Sequence, residues 1–204
     1  MGSKSGRMPE KFLTSEAKQF ASSYRSLQLQ TGKVVPFRNS FNPRLMLPLI
    51  SRLSIFEIAH PDVVMVRLAG TAVTNLNRSN ATGTNLLTRY PKVVRDRAKV
   101  HNSRLLQTPC GSTFLCHERA GSIFNVSEIV NYPLADASGK PTLILAIAAD
   151  TGRREPRLSP ASMSESCTFS NQRWLDIGAG VAASKSLAKR PEEAAQGDQL
   201  FSLR

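Results

Sequence analysis

Three cysteines and three histidines are the residues of this sequence best suited to nucleophilic or metal chemistry. Cys110, Cys116 and His117 form a C-x5-C-H group. The group lacks the two-residue spacing that places two thiolates on one zinc ion, and Cys116 and His117 would point to opposite faces of a strand. No G-x-S-x-G motif or ordered Ser/His/Asp set accompanies the histidines. We therefore expect no catalytic residue, no metal site and no enzymatic activity.

A glycine-rich segment near the end of the sequence is the next candidate. Leu175 to Gly180 resembles the first motif of S-adenosylmethionine-dependent methyltransferases and, more loosely, a dinucleotide-binding fingerprint. Such a loop needs several further βα units to complete the sheet that holds the cofactor. Residues 181–204 are too few to supply them. We interpret the segment as a turn or a docking strand.

Two charged residues fall within predicted strands. Glu128 shares one face of its strand with Phe124, Val126, Val130 and Tyr132. A charge in such surroundings must find a partner or become neutral. Glu128 and Arg67 could line a ligand cavity between the sheet and a long helix. A structural ion pair or an interface contact is the interpretation we prefer.

Hydrophobic periodicity predicts the helices that would position these residues. Three- and four-residue spacing predicts an amphipathic helix over about residues 14–30, on the stripe Leu13, Ala17, Phe20, Tyr24 and Leu27. Because one helix cannot bury its own stripe, it must pack on the main domain or on a second copy of itself. Asn42-Pro43 predicts the start of a short helix that Pro48 limits. A second series predicts one long helix from Leu87 to Leu105, with Pro91 tolerated in its first turn.

Period-two patterns predict the strands. An antiparallel hairpin is expected at 53–60 and 63–68 around the Pro61-Asp62 turn, followed by short helical turns and loops over 71–86. An antiparallel meander is expected at about 112–118, 122–134 and 141–149. Beyond Asp150 the composition becomes polar, which predicts a largely flexible tail.

The charge of the chain invites a nucleic-acid role. The net charge is +12 and the sequence pI is about 10.3. The excess is +7 over residues 1–52 but only +3 over 53–152, so most of it lies in the first quarter of the sequence. The strands lack clustered aromatics for base stacking, so nucleic acid is not the expected partner. No secretory signal or bilayer-length apolar run is legible, and we expect a cytoplasmic protein without a membrane partner.

The order of elements, strand, strand, short helices, long helix and three strands, is that of the PAS fold. The chain resembles the alphaproteobacterial single-domain PAS-like family over about residues 16–150. The segments that carry the resemblance are Val35-Pro36-Phe37-Arg38, Asn42-Pro43, Leu47-Pro48, Val66 to Thr71, Ala81-Thr82-Gly83 and the late Asp176 to Gly180. The family commonly has Asp at the position of Asn42 and often Gly at that of Asn77.

The resemblance brings two cofactors into consideration. His101 to Gln107 partly resembles the flavin-binding signature of light-sensing LOV domains, but Ser103 stands where their reactive cysteine would be. Haem-binding PAS domains ligate iron through a histidine on the long helix, and His101 lies on the apolar face of that helix. A lone histidine on a packed face is usually a hydrogen-bonded core residue. We therefore expect that the protein requires no cofactor, and the sequence does not identify one.

The resemblance implies an α+β fold: a PAS-like five-stranded antiparallel sheet with short helices and one long helix, plus an N-terminal helix. The predicted organisation is an amphipathic helical segment over 1–34, the PAS-like domain over 35–150 and a flexible tail over 151–204. The implied function is a non-enzymatic sensory or regulatory module of signal transduction, which binds a ligand or protein and forms a homodimer. A basic nucleic-acid-associated protein is the alternative, and a haem or small-molecule sensor is third. The predicted cavity residues are Arg67, Tyr90, Val94, His101, Phe124 and Glu128.

Overall fold

A six-stranded antiparallel sheet forms the centre of the computed structural model, which describes residues 11–76, 82–120, 123–156 and 168–181. The strands are β1 (Leu53–His60), β2 (Val63–Ala69), β3 (Gly111–Ala120), β4 (Ile123–Leu134), β5 (Leu143–Pro156) and β6 (Thr168–Leu175). Their order in the sheet is β2-β1-β5-β4-β3-β6. The predicted α+β class with an antiparallel sheet is confirmed, and the sheet has one strand more than the five predicted.

Three α-helices and three short 3-10 segments surround the sheet. The α-helices are α1 (Ser15–Thr31), α2 (Thr71–Leu76) and α3 (Lys92–Gln107), and the 3-10 segments are Arg38–Ser40, Pro43–Arg52 and Leu86–Arg89. Asn42 caps the second 3-10 segment by accepting a hydrogen bond from the Arg44 amide, as the Asn-Pro pair predicts. In the described ranges, no helix combines the length and apolarity needed to cross a membrane.

The two faces of the sheet are covered by different helices. On one face, α1 buries Phe20, Tyr24 and Leu27 in a single large cluster with sheet residues that point to that face. The sheet residues of this cluster are Leu53, Ile55, Val130, Tyr132, Leu134, Leu145, Ile147 and Leu175. On the other face, Leu105 of α3 packs in a smaller cluster with Phe56, Cys110, Ile144, Ala146 and Trp174. The stripe of α1 therefore packs on its own domain, one of the two arrangements left open by the sequence.

Proline positions correct two of the predicted helices. The long helix does not begin at Leu87, because Tyr90 adopts an extended conformation before Pro91 and α3 starts at Lys92. Steric clash with a proline ring disfavours helical geometry in the residue that precedes it. Pro48 does not end its segment, which continues to Arg52 after a non-helical Met46.

The strand β6 lies in the part of the chain where composition predicted a flexible tail. It pairs with the edge of β3 from Gly111 to His117, with a register shift between Thr113 and Leu115. Most of its side chains are exposed, which is why its composition is polar. Backbone pairing and two anchoring residues, Trp174 and Leu175, attach it to the fold.

In the segment Arg67 to Thr71, Gly70 lies where two parts of the chain approach closely and leave no room for a side chain. A Cβ atom on Gly70 would lie 2.3 Å from the Ser51 carbonyl oxygen, which is backbone and cannot rotate away. The Gly70 amide also donates to the Leu53 carbonyl at 2.7 Å. This glycine fixes the end of β2 against the start of β1.

Candidate functional site

The six predicted cavity residues lie in separate parts of the fold. Glu128 faces α1, whereas Tyr90, Val94 and His101 belong to α3 and the turn before it. Arg67 is exposed on β2, and the side chain of Phe124 lies outside what the structure describes. The sheet separates Glu128 from His101, so the two residues do not line one cavity. Strand alternation places Glu128 with Val130 and Tyr132, and that face is covered by α1 rather than by the long helix.

Glu128 is a buried carboxylate that holds the first turn of α1. Its side-chain oxygens accept hydrogen bonds from the Leu13 amide at 3.0 Å, the Thr14 amide at 2.8 Å and the Thr14 hydroxyl at 2.9 Å. Only 1% of Glu128 is exposed. The Thr14 hydroxyl in turn accepts from the Ala17 amide at 3.1 Å, which makes Thr14 the N-cap of α1. We call Glu128 and Thr14 the N-cap clamp.

The N-cap clamp places a buried carboxylate at the N-terminal end of a helix. The N-terminus of an α-helix carries a partial positive charge, and its first amides have no partner within the helix. Hydrogen bonds to an ionised acceptor are about twice as strong as neutral ones. The clamp thus gives the buried carboxylate donors at Leu13 and Thr14, and Thr14 in turn accepts from the Ala17 amide in the first turn.

Aromatic contacts hold the middle of α1. The Tyr24 ring stacks on Tyr132 of β4, with centroids 4.3 Å apart and an interplanar angle of 9°. Phe20 packs against the same ring at 5.5 Å. The Tyr24 hydroxyl donates to the Pro133 carbonyl at 2.8 Å, and burial raises its pKa well above the usual range. The hydroxyl therefore remains a neutral donor.

The glycine-rich segment after β6 is a turn that holds the far end of α1. Asp176 accepts hydrogen bonds from the amides of Gly178 and Gly180 at 2.7 and 3.1 Å, and both glycines have positive φ. Ile177, between Asp176 and Gly178, is buried in the α1 cluster. The Gln28 side-chain Nε2 donates to the Ile177 carbonyl at 3.0 Å. The segment is thus a turn, one of the two interpretations given from its sequence, and it contacts the end of α1.

One further contact joins the beginning of α1 to β6. The Arg173 guanidinium donates to the Lys11 carbonyl at 2.5 Å, just before the N-cap clamp. Together with Gln28 and Ile177, this bond connects both ends of α1 to the segment 168–181. Hydrogen bonds therefore connect α1 to β6 and to the turn that follows β6.

His101 sits between α3 and β6 on the opposite face of the sheet. Its ring stacks on Trp174 with centroids 4.6 Å apart, and Phe114 approaches it edge-on at 6.4 Å. The Gln172 side-chain amide lies 2.8 Å from Nδ1, so Nδ1 accepts and the neutral ring carries its proton on Nε2, which lies 3.5 Å from the Ser112 hydroxyl. Burial, aided by the charge of Arg104, lowers the pKa of His101 to about 4.

These contacts do not fit a haem ligand. A neutral imidazole binds iron through a ring nitrogen with an open approach. Both nitrogens of His101 already face polar partners, Gln172 and Ser112, and one ring face is covered by Trp174. Ser103, at the position of the LOV cysteine, donates to the Lys99 carbonyl at 2.8 Å within the helix. His101 and Ser103 thus make the contacts of structural residues.

Two other polar features, an ion pair and a groove, lie on the surface. Arg67 forms an ion pair with Glu57 on the neighbouring strand and is half exposed, so it has the ion-pair role preferred from the sequence. A shallow groove of about 300 Å³ lies between the β1–β2 turn and α3, and it contains none of the six predicted residues. In the groove, hydrogen bonds from His60 and Lys99 lower the pKa of Asp62 to about 2.

Sequence analysis missed several residues of the site. Thr14 precedes the helical stripe and is a recognised N-cap residue, so its role had a legible signal. Arg173 and Trp174 had none, because polar composition concealed the strand that carries them. Among the described residues, no group of three or more His, Cys, Asp or Glu side chains is arranged to hold a metal ion.

Comparison with known proteins agrees with the fold and the element order. The family model of the PAS domain matches residues 14–149, which include α1, the strands β1 to β4 and the first half of β5. Searches of curated proteins and of solved structures found no match. The match covers well over half of the chain and confirms the PAS resemblance, while the narrower alphaproteobacterial assignment stays a prediction. The chain therefore belongs to the PAS domain family.

Proposed function

We propose that this chain is a non-enzymatic regulatory module of signal transduction whose output is the docking state of α1. Family membership supports a sensory or signalling role. The observation that carries the proposed output is the buried Glu128 carboxylate, whose hydrogen bonds reach across the core to Leu13 and Thr14. A cytoplasmic setting and an alphaproteobacterial relationship belong to the same proposal.

The N-cap clamp makes docking of α1 reversible. A buried carboxylate loses its hydration, and this cost offsets part of the free energy gained by its hydrogen bonds. When α1 leaves the sheet, water solvates Glu128 again, so release costs less than it would with an apolar residue of the same size. Release also exposes the apolar stripe of Phe20, Tyr24 and Leu27. That stripe is the surface we propose for a homodimer or a partner protein.

Polar contacts between His101 and the strand that carries Glu128 support coupling between the two faces of the sheet. Asn131 donates to the Ser112 hydroxyl at 3.2 Å, and Ser112 faces the Nε2 atom of His101. Asn131 lies three residues from Glu128 on β4 and projects to the other face. A ligand or partner that displaces α3 near His101 would therefore shift the strand that carries the clamp.

Substitution of Glu128 by Gln tests this output route. The variant keeps the shape of the side chain but removes its charge and one acceptor. Deleting α1 is a poorer test, because the deletion also removes four buried core residues. Glu57→Gln is the matched control. Glu57 is a carboxylate on β1, and it contacts Arg67 of β2 rather than α1.

Hydrogen exchange and native mass spectrometry provide the two readouts. We expect faster exchange of the first-turn amides of α1 in Glu128→Gln, together with a larger fraction of dimer or of partner-bound protein. Glu57→Gln should match the wild type in both. If α1 is released but oligomeric state and partner binding do not change, α1 is not the output.

A further inference from the structure

The strand β6 lies outside the part of the chain that matches the PAS family. The family model ends at residue 149, whereas β6 and the turn after it occupy residues 168–181. We call residues 168–181 the edge segment. In the described sheet, β6 is an edge strand that pairs with β3, so the pairing of the other five strands does not depend on it. The edge of β3 is therefore a surface on which the chain docks a strand of its own.

Aromatic side chains attach the edge segment on the α3 side of the sheet. The Phe169 ring meets Phe114 of β3 edge-on, with centroids 5.2 Å apart, and meets Tyr90 at 5.9 Å. Near the other end of β6, the Trp174 ring stacks on His101 at 4.6 Å. These contacts join side chains of the edge segment to β3, α3 and the turn before α3. The edge segment of a second copy carries the same rings and would make the same contacts.

A few further residues anchor the edge segment on the α1 side. Leu175 and Ile177 are buried in the α1 cluster, and the Arg173 guanidinium donates to the Lys11 carbonyl. Most other side chains of β6 are exposed. Detachment of the segment consequently breaks one strand pairing and a small number of anchors, and it leaves the remaining five strands paired.

The register of β6 selects for the sequence of the edge segment. The pairing shifts between Thr113 and Leu115, so that β6 has two residues, Asn171 and Gln172, where β3 has only Phe114. Asn171 has a φ of 54°, and asparagine adopts this left-handed conformation more readily than most residues. Such a bulge fixes the pairing register of a strand. An unrelated extended peptide lacks both the bulge and the aromatic anchors, so the site favours a strand of this chain's own sequence.

The connection between β5 and β6 is longer than the gap that it crosses. Pro156 pairs with Ile123 of β4, and Thr168 pairs with His117 of β3. Three strand spacings separate β5 from β6, and a shift of three residues along the strands brings the distance from Pro156 to Thr168 to about 17 Å. Residues 157–167 span up to about 40 Å when fully extended. The covalent connection therefore does not confine the edge segment to its own sheet.

We propose that two copies of this chain exchange their edge segments, so that β6 of each copy pairs with β3 of the other. The exchange remakes the same strand pairs and the same anchors, and only the cost of association is added. The contact is reciprocal, because each copy offers the same site and the same strand. This dimer is built on the β3 edge rather than on the exposed stripe of α1, so it goes beyond the proposed function.

Shortening the connection between β5 and β6 tests the exchange in an otherwise complete chain. Deletion of residues 158–165 leaves three linking residues, which reach about 14 Å and cannot close the gap within one copy. We expect native mass spectrometry to show a dimer. Trp174 is the single tryptophan of the chain, and its fluorescence emission should match that of the wild type because the edge segment is docked in both proteins.

The matched control replaces residues 158–165 with eight glycine and serine residues. This variant keeps the length of the connection, and we expect the oligomeric state of the wild type. If the deletion variant is a monomer, or a dimer in which the Trp174 emission is shifted to longer wavelength, the edge segment is not exchanged and the proposal fails.

A labelled peptide with the sequence of residues 168–181 tests whether the site accepts the segment from another molecule. Fluorescence anisotropy follows its binding to the full chain. The chain's own segment competes at an effective concentration of about a millimolar. Trp174→Ser weakens this competitor but leaves β3 intact, so the peptide should bind the variant at least about tenfold more tightly than the wild type. Thr168→Ala is the matched control, because Thr168 is an exposed residue of the same strand, and it should bind as the wild type does.

Circular dichroism verifies that the variants fold. Arg173→Ala removes the bond to Lys11 without touching the aromatic anchors, and it should give a smaller gain in peptide affinity than Trp174→Ser. Equal affinities for the wild type and both variants would overturn the proposal. A peptide of alternating valine and threonine that binds Trp174→Ser as tightly as the native sequence would also overturn it, because the edge would then accept any extended strand.

Discussion

The strength of the N-cap clamp can be tested by replacing Glu128 with Gln. In the native protein, one carboxylate oxygen of Glu128 accepts from the Thr14 amide, the Thr14 hydroxyl and the Leu13 amide, and the other oxygen shares the Leu13 donor. A Gln side chain can keep its carbonyl oxygen towards Thr14. Its NH2 group then faces the Leu13 amide, so two donors meet where a donor met an acceptor.

The expected loss of stability follows from these contacts. Two hydrogen bonds to Thr14 change from charge-assisted to neutral, which costs about 1 kcal/mol each. The favourable interaction with the helix end, worth about 0.5 to 1 kcal/mol, is also lost. Removing a buried charge returns part of this through its desolvation cost. We expect a net loss of about 2 kcal/mol in the free energy of unfolding, or about 4 to 8 °C in Tm for a chain of this size.

Urea unfolding followed by circular dichroism measures this loss, and Glu57→Gln again serves as the control. The exposed pair of Glu57 with Arg67 should contribute less than about 1 kcal/mol. In Glu128→Ala, the Leu13 and Thr14 amides lose their acceptor altogether, and we expect a loss of about 4 kcal/mol. A Glu128→Gln variant as stable as Glu57→Gln, with unchanged exchange of the α1 amides, would refute the reasoning.

Two further predictions concern His101 and Gly70. The unfolded chain binds a proton on His101 below pH 6.5, whereas the folded protein keeps the ring neutral down to about pH 4. The contribution of His101 to the free energy of unfolding is therefore complete above pH 6.5 and is lost as the pH falls towards 4. Unfolding measured across this range should show a wild-type loss of up to about 3 kcal/mol relative to His101→Gln, and parallel profiles would contradict the assignment. Gly70→Ala should lower the free energy of unfolding by about 3 kcal/mol, because the new Cβ would meet the Ser51 carbonyl. Gly83 has open space around it but a positive φ, so Gly83→Ala should cost about 1 kcal/mol. Equal losses in the two variants would exclude the close approach as the cause.

Local sequence patterns predicted much of this fold. The three- and four-residue spacing from Ala17 to Leu27 predicts α1 to within one residue at each end, because its stripe is buried by packing of regular period. The Pro61-Asp62 turn and the Asn42 cap follow from backbone preferences that operate within a few residues. The break before α3 is also a local effect, which Pro91 causes. The apolar series continues across Pro91, so periodicity alone predicts a helix that begins too early.

The candidate site was less predictable, because its partners are distant in the sequence. Glu128 was identified as a charge that must have a partner, yet the Thr14 amide lies 114 residues away. Period-two alternation shows which residues share a face of β4 but not which helix covers that face. The pairing of β6 with β3 satisfies backbone groups without burying most side chains, so composition carried no sign of it.

The contacts of β6 have a consequence for how α1 would be released. Arg173 of β6 donates to Lys11 beside the N-cap clamp, and Ile177 after β6 accepts from Gln28 near the end of α1. Because one segment contacts both ends of the helix, its detachment removes bonds at both ends together, whereas loss of the clamp removes bonds at the beginning of the helix. Release of the α1 stripe is therefore favoured both by loss of the Glu128 hydrogen bonds and by detachment of β6, and the two changes together should release more of it than either alone. His101 stacks on Trp174 of that same strand, so the α3 side of the sheet has a direct contact with the element that secures α1.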